Sequence, residues 1–287
     1  MLIDLQIHST YSDGYLTPSE LADFLASNHI KIAALTDHNT IGGLEEFKSA
    51  CGEKNIKTIP GVELYIKFGH KKFNLLWYNF DSCNPELHNL LRTSQTRRRQ
   101  QIRTALAKLK QHGFEINTGR LLDKFNHYVP INHIIDHISK IPINKKIIIR
   151  ELKTLNPSQD EILINIFKNP SFAKVNETYI GLKQILKLRE KIGGQLILNH
   201  PGKYSRLDKK FISNIGALGL NGLEVVSPHH SIGAIMLLQR IARENKLIMT
   251  GGSDFHLFEP APADLNSCYD YFKIDSKHLF DIKKIIG

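Results

Sequence analysis

The stretch that decides the fold is DLQIHSTYSDG at residues 4–14, an alternating segment that ends in polar residues. Successive side chains of a strand point to opposite faces, so Gln6 and His8 share one face. Only one of these two side chains is an imidazole. The segment therefore predicts a metal-binding strand end in which Gln6 has replaced one ligand.

The first 80 residues alternate short apolar runs with amphipathic stretches. They predict strands near 2–8, 31–36, 56–66 and 73–80, and helices from 18 and near 42–54. The start of the first helix is well marked, because Thr17 offers an N-cap hydroxyl, Pro18 stands at N1 and Glu20 at N3. This rhythm is typical of a parallel sheet or barrel.

The strand pattern disappears in the middle of the chain. Helical patterns replace it near 85–112, 131–140, 147–155, 159–168 and 178–192. Strand-like runs return in GQLILNH, GLEVV and KLIMTGGSDFH, separated by helical stretches near 207–215 and 231–245. We therefore predict an α/β barrel from residues 1–84 and 193–287, with a helical insertion subdomain at 85–192.

Composition narrows the classes of function. Lys and Arg number 38 against 28 Asp and Glu, a net charge of +10 that favours anionic partners, or serves solubility alone. No apolar run reaches the roughly 18 residues that span a bilayer, and the start has no basic leader, so we expect a cytoplasmic protein without membrane contact. Three cysteines in no paired spacing argue against disulfides and a Cys-type zinc site.

Side chains that can bind metals end nearly every predicted strand. They are His8 with Asp13, Asp37 with His38, Glu63, Asn74, His200, Glu224, and Asp254 with His256. Imidazoles combined with carboxylates suit Zn, Mn and Fe, and a bridging carboxylate holds two cations close together. Such clusters clamp a phosphate ester and activate water. We predict a cluster of two or three metals that hydrolyses phosphoesters.

The order of these motifs resembles the polymerase and histidinol phosphatase (PHP) superfamily of metal-dependent phosphoesterases. The resemblance covers about residues 1–81 and 193–257, through STYSDG, LTPSELA, ALTDHNT, IPGVEL, NHPGKY, GLEV and TGGSDFH. Arg150 in IIIRELK and the segment GGQLILNHPG are most similar to the bacterial branch that hydrolyses nucleoside phosphates and trims RNA 5′ ends. The resemblance implies a distorted (βα)7 barrel of PHP type.

The resemblance also implies nine ligand positions, two of which are altered. The first metal takes Gln6, His8, Glu63 and Asp254, the second Glu63, Asn74 and His200, and the third Asp13, His38 and His256. Amide oxygens are weaker ligands than imidazoles for zinc-like ions but are acceptable to Mg or Mn. We expect one to three divalent ions (Mn, Fe, Zn or Mg), with the site of Asp13, His38 and His256 filled first.

The predicted activity is hydrolysis of a phosphate ester of a nucleotide or RNA end through a metal-bound hydroxide, with Glu63, Asp254 and His200 as catalytic residues. One alternative is a non-catalytic PHP barrel that binds a phosphorylated ligand or partner. Another, an amidohydrolase, is disfavoured because no Lys ends a middle strand.

Three residues are predicted to contact the substrate, namely Arg99, Arg150 and His230. Arg99 belongs to the arginine-rich helical stretch RTSQTRRRQQIR, for which a solvated face is the other interpretation. The insertion departs from the family, because its Arg-Pro-His is replaced here by residues 145–147, Lys-Lys-Ile. The oligomeric state is left open.

Overall fold

The structure, a computed structural model, describes residues 1–204, 209–256, 269 and 272–287. The chain divides into two compact units, Met1–Leu90 together with Tyr179–Gly287, and Leu91–Thr178. The predicted insertion, 85–192, extends beyond the second unit at both ends. Among the described residues, no helix combines the length and the apolar character needed to cross a membrane.

The described strands all belong to the first unit. They are β1 (Leu2–Ile7), β2 (Ile32–Leu35), β3 (Lys57–Thr58), β4 (Gly61–Phe68), β5 (Lys71–Tyr78), β6 (Ile180–Gly181), β7 (Gln195–Leu198), β8 (Gly222–Val226), β9 (Ile248–Gly251) and β10 (Ile274–Asp275). The principal helices are α1 (Pro18–Ser27), α2 (Leu44–Glu53), α3 (Pro85–Gln111), α4 (Thr118–Leu122), α5 (Ile131–Ser139), α6 (Pro142–Leu152), α7 (Gln159–Ile162), α8 (Leu182–Ile192), α9 (Lys209–Ser213) and α10 (Ile232–Glu244). A π-helical turn, Leu163–Phe167, continues α7.

The strands form two sheets, ordered β10-β1-β2-β3 and β6-β4-β5-β7-β8-β9. Two single-residue parallel bridges join these sheets, Ile7 with Phe255 and His38 with Glu63. The bridges connect β1, β2, β4, β5, β7, β8 and β9 into a ring of seven strands. The predicted α/β fold of PHP type is confirmed, although β5 runs antiparallel to both β4 and β7.

Helix α1 shows how local sequence and packing agree. The Thr17 side chain accepts from the backbone N–H of Glu20, while the Glu20 carboxylate accepts from the backbone N–H of Thr17. This capping box satisfies N–H groups that the first helical turn leaves unpaired. Leu21 and Leu25, one turn apart, are fully buried and share a core cluster with Ile7. The helix therefore fixes the barrel wall beside the end of β1.

The second unit packs around its own apolar core, and α3 contributes a guanidinium to it. Arg98 is only 1% exposed. It donates to the carbonyl of Val129 at 3.1 Å, pairs with Glu177 at 3.0 Å and lies over the Tyr128 ring. The interpretation of this stretch as a solvated face is therefore wrong at Arg98, because the buried guanidinium binds neighbouring segments of its own unit.

The cysteines add little to the fold. Cys51 is buried and Cys83 is exposed, both as free thiols. The third, Cys268, lies outside the described residues. Burial raises the pKa of the Cys51 thiol to about 12, so this side chain acts as a small apolar group in the core.

Candidate metal centre

The predicted ligands come from six strands or the loops that follow them. Gln6 lies on β1, and His8 and Asp13 follow it, while His38 follows β2, Glu63 lies on β4, Asn74 on β5, His200 follows β7, and Asp254 and His256 follow β9. The carboxyl ends of parallel strands meet at one rim, which explains most of this convergence.

Two ligand positions depart from the expected strand ends. Glu63 is the third residue of β4, which continues to Phe68. Asn74 lies in the first half of β5 and pairs with Tyr65 in the antiparallel ladder. Because β5 runs against its neighbours, its beginning lies where parallel strands would end. A residue early in β5 therefore reaches the side chain of Glu63.

One cluster, which we call the Asp13 group, consists of His8, Asp13, His38 and His256. Its ligand atoms all lie within 4.8 Å of one another. The Asp13 carboxylate lies 3.4 Å from His38 Nε2, 3.3 Å from His256 Nε2 and 3.6 Å from His8 Nδ1. Two ligands of one ion, each about 2.0–2.2 Å from it, lie roughly 3–3.5 Å apart. The donor set and its spacing fit a divalent metal.

The second cluster, the Glu63 group, consists of Gln6, Glu63, Asn74, His200 and Asp254. The ring of His8 lies between the two groups. Its Nε2 is 3.1 Å from both Glu63 Oε2 and Asp254 Oδ1. On the other side, His200 Nε2 is 3.3 Å from Glu63 Oε1. The two groups therefore form one continuous centre that shares an imidazole.

The two amides of the Glu63 group act as hydrogen-bond donors. Gln6 Nε2 donates to Asp254 Oδ1 at 2.9 Å and to Glu63 Oε2 at 3.3 Å. Asn74 donates to Glu63 Oε1 at 2.5 Å, and Asn199, which sequence reasoning missed, donates to the same oxygen at 2.7 Å. These N–H groups satisfy carboxylate lone pairs that a cation would otherwise take, and so compete with an ion.

An unpaired oxygen tests whether this group still fits a metal. Gln6 Oε1 is buried and has no hydrogen-bond partner among the described residues. Rotating the amide by half a turn exchanges its oxygen and nitrogen. The oxygen would then face Glu63 and Asp254, an arrangement that a cation between them stabilises. The residues present therefore fit a divalent ion, with a carbonyl oxygen in place of an imidazole.

The electrostatics of the centre favour cations. Burial alone would raise the pKa of Glu63 and of Asp254, but neighbouring histidines hold both well below their usual range. Burial lowers the pKa of His8, yet hydrogen bonds with these carboxylates outweigh it and leave the pKa well above its ordinary value. Ionised carboxylates thus persist in a buried site, where they attract positive charge strongly.

The backbone is strained at two of the ligands. His200 and Asp254 have φ angles of 25° and 49°, in the left-handed region that non-glycine residues seldom adopt. Glu224, buried at β8, accepts the backbone N–H of His200 at 3.0 Å. Beside Asp254, a Cβ on Gly252 would lie 2.5 Å from the backbone nitrogen of Gln6. Such strain is concentrated at functional sites, where the surrounding structure enforces it.

Not every polar strand-end residue joins the centre. The Asp37 carboxylate accepts from the Ser9 backbone and from the hydroxyls of Ser9 and Ser12, at 2.5–2.8 Å. These contacts fold the loop after β1 against the end of β2. Asp37 thereby supports the segment that carries Asp13.

The arginines predicted to contact substrate lie in the second unit. Arg99 donates to the backbone carbonyls of Leu122 and Phe125. Arg150 pairs with Glu151 at 2.7 Å and its side chain is 69% exposed. Both assignments stay predictions.

Two adjacent histidines follow β8 and face different partners. His230 Nδ1 lies 2.9 Å from the carbonyl of Val225, and its Nε2 accepts from the Gly202 backbone at 3.1 Å. The structure therefore places the predicted substrate contact between two backbone groups. Its neighbour His229, for which the sequence predicts no role, lies 2.7 Å from Asp254 Oδ2 through its Nε2. His229 follows a strand as the other ligands do, so the strand-end rule was the signal that could have found it.

Comparison with known proteins agrees with this architecture. The family model of the PHP domain matches residues 4–156, more than half of the chain. A 3′,5′-nucleoside bisphosphate phosphatase of Chromobacterium violaceum is 28% identical over 260 residues, covering 88% of this chain and 87% of that protein. A 5′-3′ exoribonuclease of Haemophilus influenzae is 27% identical and covers 88% of this chain and 89% of that protein.

A solved structure supports the fold. A protein of Bifidobacterium adolescentis described as a metal-dependent phosphoesterase aligns with a TM-score of 0.76 at 19% identity, covering 96% of this chain and 98% of that one. Fold and centre define the class of metal-dependent phosphoesterases, and this predicted class, a hydrolase, is confirmed. The chain belongs to the PHP domain family.

Proposed function

We propose that the chain hydrolyses a phosphate ester of a nucleotide or of an RNA end, using divalent ions held by the Asp13 and Glu63 groups. The convergence of these two groups on the shared ring of His8 is the observation that carries the proposal. The names of the two relatives above and the net charge of +10 support a phosphorylated nucleotide or RNA as substrate.

The two groups of residues that would hold the ions differ in their expected affinity for a divalent ion. We propose that the Asp13 group fills first, since three imidazoles and a carboxylate meet there within 4.8 Å of one another. The Glu63 group would hold a second ion more weakly, through Glu63, Asp254 and His200. A bound divalent ion supplies Lewis acidity, which polarises a phosphoryl oxygen and lowers the pKa of water.

Exposure indicates where the substrate enters. The side chains of Asp13 and His256 are 20% and 31% exposed, whereas those of His8 and Glu63 are at most 1% exposed. The phosphate group would therefore approach beside Asp13 and His256, above a buried floor. His200 and Asp254 would hold the ion of the Glu63 group within this floor.

Turnover of defined substrates tests the proposal. Purified protein supplied with Mn²⁺ is assayed on 3′,5′-bisphosphates, mononucleotides and short 5′-phosphorylated RNA. We expect phosphate or nucleotide release that a chelator stops and added Mn²⁺ restores. Asp13→Asn should abolish it, while Asp23→Asn, which changes an exposed carboxylate paired with Lys54, serves as the matched control. Tight binding of these compounds without any hydrolysis would instead establish the non-catalytic alternative.

A further inference from the structure

His229 is an imidazole beside the centre that belongs to none of the predicted ligand sets. Its Nε2 lies 2.7 Å from Asp254 Oδ2. Its ring meets the ring of His200 edge to face, with the centroids 5.1 Å apart. The side chain is 31% exposed, so it lies at the mouth of the centre rather than in the core.

The Asp254 carboxylate reaches two sides of the centre. Its Oδ1 contacts Gln6 and His8, and its Oδ2 contacts His229. The Glu63 group has amides instead of imidazoles at two of its positions, Gln6 and Asn74. His229 brings an imidazole to the same carboxylate from a different strand end, that of β8.

We propose that His229, together with Asp254, is a ligand of the ion that the Glu63 group would hold. In this role it compensates for an imidazole missing from that group. The inference rests on the proposed function, because it concerns the ion that the Glu63 group would hold. An ion entering between His229 Nε2 and Asp254 Oδ2 would widen their separation from 2.7 Å to roughly 3 Å. A rotation of the partly exposed imidazole is enough for this change.

The loop that carries His229 is anchored, as a ligand position requires. The backbone N–H of His230 donates to the carbonyl of Ser227 at 3.0 Å. Both ring nitrogens of His230 also bind backbone groups of neighbouring segments. His230 therefore fixes the turn, and this leaves His229 to face Asp254.

The position of Lys203 beside His229 suggests a different role for this histidine. Its Nζ lies 3.4 Å from His229 Nε2, and a lysine beside an imidazole could bind the phosphate of a substrate. We favour the metal because the shorter contact of His229 is to a carboxylate, which repels phosphate. The two roles differ in what they predict for metal content, so one experiment separates them.

The test is Co²⁺ binding, read by metal content after dialysis and by visible absorption, which responds to the number of nitrogen ligands. We expect His229→Ala to weaken binding of the second ion by at least about tenfold and to change the spectrum. Free imidazole should restore the spectrum in His229→Gly, since the position is open to solvent. His70→Gln, which removes an exposed imidazole from the turn between β4 and β5, is the matched control.

Unchanged ion content and spectrum in His229→Ala would overturn the inference. If Mn²⁺-dependent turnover persisted in that variant, the proposed function would still stand. If His229→Ala and Lys203→Met both raised KM while keeping full ion content, the two side chains would bind the phosphate of the substrate. That result would also reject the metal role of His229. Wild-type protein that binds no Co²⁺ would refute both proposals together. Circular dichroism on each variant confirms that the comparison is made on folded protein.

Discussion

The two halves of the centre differ in how their carboxylates are satisfied. In the Asp13 group, the carboxylate of Asp13 faces imidazole nitrogens at 3.3–3.6 Å. In the Glu63 group, amide N–H groups from Gln6, Asn74 and Asn199 bind the carboxylate of Glu63. One half therefore presents a set of metal-type donors, whereas the other contains hydrogen-bond donors that stabilise its carboxylate without a metal.

This difference shows how a metal site can change without losing its architecture. A buried carboxylate needs a positive charge or several hydrogen bonds to remain ionised. Asn74 and Gln6 provide such bonds from the two positions where the resemblance implies imidazoles, so we expect this half to stay folded with or without an ion. In the Asp13 group three imidazoles and the Ser12 hydroxyl surround the carboxylate, and we expect this half to depend more strongly on an ion.

The largest effect is expected from a substitution in the Asp13 group. Asp13→Asn removes the carboxylate on which three imidazoles converge and should cost the first ion. Because a bound ion contributes several kcal/mol to the transition state, we expect kcat to fall by on the order of 10³-fold or more. Phosphate release and metal content, measured together on the purified variant, check this. Full ion content with full activity would show that the Asp13 group is not the stronger half.

The next effect tests the altered half. Gln6→His combined with Asn74→His replaces two hydrogen-bond donors by metal ligands, so the affinity for the second ion should rise by about tenfold or more. Metal titration of the double variant against wild type measures this, and the hydrolysis rate should rise with occupancy. Unchanged metal content would mean that the surrounding residues, rather than the two amides, limit ion binding.

A third substitution separates stability from metal binding. Arg98→Met keeps most of the buried volume but removes the hydrogen bonds to Val129 and Glu177. A hydrogen bond to a charged group is worth about 1.5–3 kcal/mol, so urea unfolding should show a loss of roughly 2–3 kcal/mol. Metal content should stay at the wild-type level. A matching loss of bound ion would contradict the separation. Arg97→Met, on the same helix, is the control.

The smallest effect is expected in helix α1, which follows the loop that carries Asp13. Thr17→Ala removes the cap of α1 and should reduce the free energy of unfolding by about 1 kcal/mol. Thermal unfolding measures the change. Metal titration should give the wild-type curve, because Thr17 contributes no ligand. A shift in ion affinity would show that the position of the loop, and not its ligands alone, sets the strength of the Asp13 group.

Much of the helical structure followed from local pattern. Helices predicted near 42–54, 85–112 and 231–245 correspond to α2, α3 and α10, since their apolar spacing is regular. The sequence pattern missed α4, β6 and β10, which are two to five residues long and too short to show a period. It also placed the start of α6 at residue 147, whereas the helix begins at Pro142, a residue that favours the first turn.

The sequence by itself determined most of the residues that gather at the rim, because polar side chains that follow buried strands mark one edge of a barrel. Only the tertiary structure decided which of these residues contact one another and how they are distributed between the Asp13 and Glu63 groups. It placed His8 between two groups, brought Asn74 to Glu63 through the antiparallel direction of β5, and turned His229 rather than His230 toward Asp254. The physical reason is that these contacts join residues of different strands or of the loops that follow them, so strand pairing brings them together. The direction of each strand and the anchoring of each loop determine these contacts, and the local sequence pattern predicts neither.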